Sequence, residues 1–175
     1  EVILVNEKDE QVGTMEKMEA HEKELLHRAF SVFIFNNEGD MLLQQRALTK
    51  YHSGGLWTNA CCSHPFPGEE TIVAADRRLQ EEMGFVTPIK KVFDFVYKAE
   101  FDNGLTEHEF DHVFTGVYEG EIRMNKEEVS DYSYMSVVSI AESLQTHPKK
   151  FTAWFHLAFP EIEKWWIKNY KNKVA

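Results

Sequence analysis

"TIVAADRRLQEEMGF", Thr71–Phe85, is the stretch whose reading decides the fold. Its apolar residues Ile72, Ala75, Leu79 and Met83 recur at three- and four-residue steps, so they share one face of an α-helix. Gly84 then supplies a stop, because glycine adopts left-handed backbone angles without a Cβ clash. Arg77 and Glu81 stand four apart, as do Arg78 and Glu82. Two ordinary intrahelical ion pairs, each worth about 0.2–0.5 kcal/mol, account for that spacing.

Immediately upstream runs "TNACCSHPFPGEE", Thr58–Glu70, which holds both cysteines of the chain side by side. Neighbouring Cα atoms lie about 3.8 Å apart, below the usual disulfide range. Cys61 and Cys62 are therefore read as free thiols, which suits a reducing, cytoplasmic compartment. With no third cysteine, a cysteine-rich structural zinc site is not expected. In an extended segment Cys62 and His64 share a face. That pairing fits a metal ligand, an acid–base group, or a buried thiol beside a surface histidine.

Further out, strands dominate. Glu1–Val5 reads as a strand closed by the turn "NEKDEQ", and "MEKMEAHEKELLH" as irregular or partly helical. "RAFSVFIFN" and "MLLQQR" flank the turn "NEGD" and predict a hairpin, followed by a loop over Ala47–Leu56 with a Gly54-Gly55 break. "KKVFDFVYKAEF" and "EHEFDHVFTGVY" flank "DNGL", a second hairpin. "SDYSYMSV" reads as a further strand and Ser139–Thr146 as a short helix. Phe151–Tyr170 reads as an aromatic helix interrupted or kinked at Pro160.

On the "EHEFDH" strand, Glu107, Glu109 and Asp111 point to one side and His108, Phe110 and His112 to the other. A solvated acidic stripe is the plain reading of that pattern. His21 and His27 are six apart, so on one continuous helix they would diverge; they meet only if the chain turns between them. His21, His27, His64, Glu107 and Glu109 together would make a nitrogen-and-oxygen cage for a divalent ion.

The chain has 175 residues, enough for one domain with a real core. Apolar runs stop at four or five residues, far short of the roughly 18 that span a bilayer, and Glu1 opens no signal peptide. The near absence of residues before the first strand suggests a short bacterial-type or trimmed chain. A net charge of −10 argues against nucleic acid as the main partner. An anionic small substrate would have to be met locally, by metals or a few Lys and Arg.

With these residues in place, "RRLQEEMGF" resembles the end of the Nudix box, R-E-U-x-E-E-x-G-U with U apolar. Arg77, Leu79, Glu81, Glu82, Gly84 and Phe85 fit, and Glu69 stands where the box has its earlier glutamate. Arg78 replaces the first glutamate of the helix, and Ser63 replaces the opening glycine. In diphosphate-hydrolysing Nudix enzymes the missing glutamate helps hold Mg²⁺, so Arg78 speaks against the alternative of a diphosphate hydrolase. "TNACCSHP", "MEKMEAH", "LLQQRALTKYHSGGLWTN", the "EHE" strand and the tryptophan of "FTAWF" together resemble the type 1 isopentenyl-diphosphate isomerase family. The likeness runs in order from about Val2 to Trp166.

The resemblance implies an α+β fold, an α/β/α Nudix-type sandwich with a mixed β-sheet. The chain would be one domain over residues 1–175, with an N-terminal strand and a C-terminal aromatic helix covering the pocket. It implies interconversion of isopentenyl and dimethylallyl diphosphate, with no nucleic-acid or membrane partner, by a monomer or weak homodimer. Cys62 matches the catalytic cysteine and Cys61 a structural neighbour. Glu109 matches the second acid–base residue, and Tyr97 and Trp154 the tyrosine and tryptophan of the pocket. His21, His27, His64, Glu107 and Glu109 match the ligands of a tightly bound divalent metal, Zn²⁺ or Mn²⁺. The interval between His21 and His27 reads one residue shorter than the family's. Glu82 matches a ligand of Mg²⁺ arriving with the diphosphate; Lys17, Arg46, Lys50 and Arg78 match diphosphate contacts, with Ser63 beside them. Glu109 with Tyr97 is read as the acid side and Cys62 as the base.

Overall fold

The computed structural model describes residues 1–170; the last five residues of the expected domain lie outside the described ones. In chain order the elements begin with β1 (Val2–Val5), β2 (Gln11–Met15), α1 (Lys17–Glu22), β3 (His27–Phe35), β4 (Met41–Arg46), β5 (Trp57–Thr58) and β6 (Cys61–Ser63). They continue with α2 (Thr71–Met83), β7 (Ile89–Glu100), β8 (Thr106–Val117), β9 (Val129–Met135), α3 (Val137–Thr146), a 3₁₀ turn at Pro148–Lys150 and α4 (Ala153–Asn169).

Strand β3 is the spine. Phe30, Val32 and Ile34 pack on one face against Ala74, Ala75, Leu79 and Met83 of α2. Phe33 and Phe35 pack on the other against Ile140 of α3 and Phe155, Phe159 and Ile162 of α4. Both faces are covered, which is why "AFSVFIF" shows no apolar–polar alternation. The result is an α/β/α sandwich.

One edge of β3 pairs in parallel with β8, from His27 opposite Glu109 to Phe35 opposite Val117, and β8 pairs antiparallel with β7. The β7–β8 hairpin turns at Phe101–Leu105 around "DNGL", as the sequence predicts. The other edge of β3 is shared. Leu4 meets it at His27, Cys61–Ser63 at Val32–Phe30, and Met41 only at Phe35. The expected hairpin of β3 and β4 therefore closes at a single pair. The "CCS" segment wedges between the two strands, and β4 turns instead to β9 and β5. The sheet is mixed, with nine strands among the described residues.

Several local readings shift. The turn after β1 forms at Asn6–Glu10, where the Asn6 side chain accepts from the Lys8 and Glu10 amides. A short second strand, β2, then precedes α1; its Gly13 and exposed polar residues carry little strand signal. Ile72 is partly exposed, and the buried face of α2 is set by Ala74, Ala75, Leu79 and Met83. Gly84 does cap α2, at φ 73°; a Cβ there would lie 2.2 Å from the Arg123 carbonyl oxygen, so both backbone angle and space demand glycine. Helix α3 begins at Val137 because Ser136 caps it, and α4 at Ala153 because Thr152 does. Helix α4 runs through Pro160 without interruption. Pro160 faces solvent while its neighbours Phe159 and Ile162 are buried, so packing holds the helix across the lost hydrogen bond.

Candidate active site

The acidic stripe of β8 points inward. Glu107, Glu109 and Asp111 are all buried, contrary to the reading of a solvated face. Glu109 lies where three histidines converge. Helix α1 ends after Glu22, Glu24 takes a left-handed φ of 56°, and the chain doubles back so that His27 opens β3. His21 and His27 then lie with ring centroids 5.1 Å apart, and His64, just past β6, brings its ring within 5.0 Å of His27. One donor atom from each of His21, His27, His64 and Glu109 lies within 4.8 Å of the others.

The bonding around this group asks for a cation. His27 Nδ1 sits 2.8 Å from the Leu25 carbonyl, which only accepts, so Nδ1 carries the proton and Nε2 offers a lone pair. That Nε2 faces His64 Nε2 at 3.2 Å, and His64 Nε2 lies 2.8 Å from Glu109 Oε1. Both ring nitrogens of His21 are buried with no hydrogen-bond partner. Burial, with the neighbouring His64 and His27, pushes the His21 pKa down to about 3, so it is neutral, the form that ligates. Burial works against the Glu109 anion, yet His64 and His27 hold its carboxyl well below the usual range. Three imidazoles and a carboxylate with an unpartnered donor fit a divalent metal.

Glu107 stands apart from this group. Its Oε1 lies 3.4 Å from His52 Nε2, and its Oε2 accepts from Tyr97 Oη at 3.3 Å. Burial, then the Glu109 charge, raises its pKa. Four of the five expected ligands come together, and the fifth is drawn toward His52 and Tyr97.

Two proton-carrying groups reach the cleft from opposite edges of β3. From β8, Glu109 Oε2 accepts a 2.6 Å hydrogen bond from Tyr97 Oη. From β6, Cys62 Sγ donates to Asn59 Oδ1 at 3.1 Å and lies 3.3 Å from Ser31 Oγ, which donates to Asp111 Oδ2 at 2.7 Å. Burial, and next the Asp111 carboxyl, pushes the Cys62 thiol up. Cys61, alternate on the same strand, turns into the apolar layer beneath α2.

The cleft is lined by Cys62, Tyr97, Glu107, Glu109, His64 and Trp154 together with Lys17, Arg46, Lys50, Ser63, Arg78 and Glu82. His21 and His27 stand behind its wall. Helix α4 reaches the cleft through Trp154 alone, and the rest of it packs on the sheet. The cations sit in a mesh of carboxylates. Arg78 donates to Glu81 at 2.6 Å and to Glu82 Oε1 at 2.6 Å, while Lys50 pairs with Glu128 at 2.5 Å. Glu82 Oε2 accepts from Gln44 at 2.9 Å. Arg77 pairs chiefly with Glu69, at 2.8 and 2.9 Å, and only loosely with Glu81. The Arg46 guanidinium lies 5.0 Å over the Trp154 ring, and Lys17 Nζ 4.7 Å over Tyr51. Burial, then the charge of Lys50, lowers the Lys17 pKa.

Sequence reading missed Tyr51 and His52, which also line the cleft, and Ser31, Asn59 and Asp111 behind Cys62. Asp111 does share the alternation of Glu107 and Glu109. The others lie in a loop or in apolar strands, where no periodicity marks a contact made across the fold.

The fold is that of a NUDIX-type protein, and residues 25–155 match the NUDIX domain family. Solved structures agree on the fold. A protein from Deinococcus radiodurans has a TM-score of 0.69 at 18% identity, over 83% of this chain and 89% of its own. A MutT protein from Methanosarcina mazei Go1 has a TM-score of 0.64 at 19% identity, over 79% and 94%. Among curated proteins, the isopentenyl-diphosphate Delta-isomerase of Pectobacterium atrosepticum is 52% identical over 166 residues, 95% of this chain and 93% of the relative. Isopentenyl-diphosphate Delta-isomerase 2 of Photorhabdus laumondii is 47% identical over 169 residues, 94% of this chain and 96% of the relative. The chain belongs to the isopentenyl-diphosphate Delta-isomerase family.

Proposed function

We propose that this protein interconverts isopentenyl and dimethylallyl diphosphate by moving one proton onto the substrate's alkene and another off it. The observation that carries the reading is the pairing of Tyr97 Oη with Glu109 Oε2 at 2.6 Å in the cleft that Cys62 enters from the opposite edge of β3. An unactivated alkene needs an acid on one side, a base on the other, and little water between them.

In the forward direction the Tyr97–Glu109 pair delivers a proton to the terminal methylene carbon, and a C–H bond forms there. Positive charge develops on the tertiary carbon. Cys62 takes a proton from the carbon adjacent to the one bearing the diphosphate, and the electrons of that C–H bond become the new double bond. The reverse reaction exchanges the two roles. The basic form is the thiolate, so the proton that Cys62 gives to Asn59 Oδ1 leaves to solvent before this step; burial raises the Cys62 pKa, so the thiolate once formed is a strong base. The Trp154 ring, already attractive to the Arg46 guanidinium, offers its π-face to the developing cation.

His21, His27, His64 and Glu109, with Glu107 beside them, would hold the tightly bound metal, Zn²⁺ or Mn²⁺. Bound there, it supplies a fixed positive charge that orients the Glu109 carboxylate. Lys17, Arg46, Lys50 and Arg78, with Ser63, bind the diphosphate, and Glu82 would help hold the Mg²⁺ that accompanies it. Arg78, in place of a box glutamate, helps bind the diphosphate and leaves it intact. The protein works as a monomer or weak homodimer. Two free thiols suit a cytoplasmic setting.

The test is proton NMR of isopentenyl diphosphate with enzyme and Mg²⁺ in D₂O, beside Cys62→Ala. Dimethylallyl signals carrying deuterium, an intact diphosphate and a loss of at least about 100-fold in rate in the variant are expected. Release of phosphate without isomerisation would make the protein a hydrolase.

A further inference from the structure

The catalytic cleft lies between two surface grooves. The first carries Lys17, Lys50, Arg77 and Arg78 among Glu1, Glu81 and Glu128, and shares Lys17, Lys50, Ser63, His64 and Arg78 with the cleft. A diphosphate enters from that side. The second groove runs past Leu56, Glu100–Asn103 and Ala153. It shares only Tyr51 and His52 with the cleft. These two side chains are the partition between cleft and second groove.

The partition is a stack of rings. His52 lies flat on Phe101, with centroids 4.5 Å apart and planes 16° from parallel. Tyr51 meets His52 edge-on at 4.3 Å, and Trp154 meets His52 edge-on at 5.7 Å. His52 belongs to the 47–56 loop and Phe101 to the first position of the β7–β8 turn, so two separate loops meet to make the wall. His52 is buried there; its Nδ1 lies 3.1 Å from Ser53 Oγ and its Nε2 3.4 Å from Glu107 Oε1, and the flat stack on Phe101 closes its remaining face.

We propose that the His52–Phe101 stack is the length gauge of the site: it stops the hydrocarbon at five carbons. This rests on the isomerase reading only for the direction in which the substrate lies, diphosphate toward Arg78 and alkene toward Trp154. A five-carbon tail ends within the cleft. A tail longer by one isoprene unit meets the stacked rings, with an empty groove directly behind them. Phe101 does not line the cleft; it backs the ring that does the blocking and meets the edge of Trp154 at 6.4 Å. Trimming it lets His52 swing outward and joins cleft to groove.

The experiment compares equilibrium binding of dimethylallyl diphosphate and of ten-carbon geranyl diphosphate, by calorimetry with Mg²⁺, in wild type and Phe101→Ala. Wild type is expected to bind the ten-carbon compound at least tenfold more weakly than the five-carbon one. Phe101→Ala is expected to shrink that ratio at least tenfold and to change five-carbon affinity less than threefold. If Phe101→Ala does not fold, Phe101→Leu carries the test, with a smaller shift of the same sign. Equal binding of both compounds by wild type, or an unchanged ratio in the folded variant, overturns the gauge. Failure of the isomerase reading would appear instead as wild type producing no dimethylallyl diphosphate, whatever the binding ratio.

Discussion

Glu69 joins the loop before α2 to the helix itself. It accepts two hydrogen bonds from Arg77 and one, at 2.9 Å, from the Phe66 amide. The Arg77 hydrogen bond lowers its pKa against a smaller opposing effect of burial. A carboxyl whose folded pKa is depressed stabilises the protein above its unfolded value and stops doing so as pH falls through the folded one. Glu69→Gln should therefore cost about 1 kcal/mol at pH 7, in a partly exposed pair, and nothing once acid has protonated wild type too. Urea denaturation at pH 7 and near pH 3 checks this; equal stabilities at pH 7 would refute it. At this scale the sequence was legible where chemistry is written locally. Glu69, Arg77 and Glu82 are marked by their spacing. Asn59 and Ser31 are not, because the Cys62 contact with Ser31 exists only after β6 has docked on β3.

Among the elements, α4 carries an internal contradiction. Pro160 sits at its middle, exposed, where it removes a backbone hydrogen bond and crowds the preceding turn. Pro160→Ala should stabilise the protein by about 1–3 kcal/mol, read as a rise in melting temperature. A fall would mean that the proline packs against something that alanine cannot replace. The same helix shows what sequence can and cannot tell. Its aromatic pattern announced a helix, whereas the proline suggested a break that buried neighbours prevent. The hairpin of β3 and β4 fails for a similar reason. "NEGD" fixes the turn, but strand partners are chosen by long-range competition, and Cys61–Ser63 outcompetes Met41–Arg46 for the edge of β3. α2 and the β7–β8 hairpin were readable because their signals are complete within one short segment.

For the whole molecule, the histidine–carboxylate group joins α1, β3, the segment after β6, and β8. A metal that binds only the folded chain adds stability by mass action. At about a hundred times its dissociation constant, Zn²⁺ or Mn²⁺ should raise the melting temperature of chelator-treated protein by roughly 5–10 °C. His21→Ala should abolish most of that rise. Identical melts with and without metal would argue against the centre. The parallel pairing of β3 with β8 carries a further consequence for the newborn chain. His21, His27 and His64 leave the ribosome well before Glu109, and nothing holds the carboxylate among them until β8 has emerged and laid itself along β3. A polypeptide truncated before that point has its three histidines but lacks the carboxylate, so the four-residue group is complete only once β8 has been made.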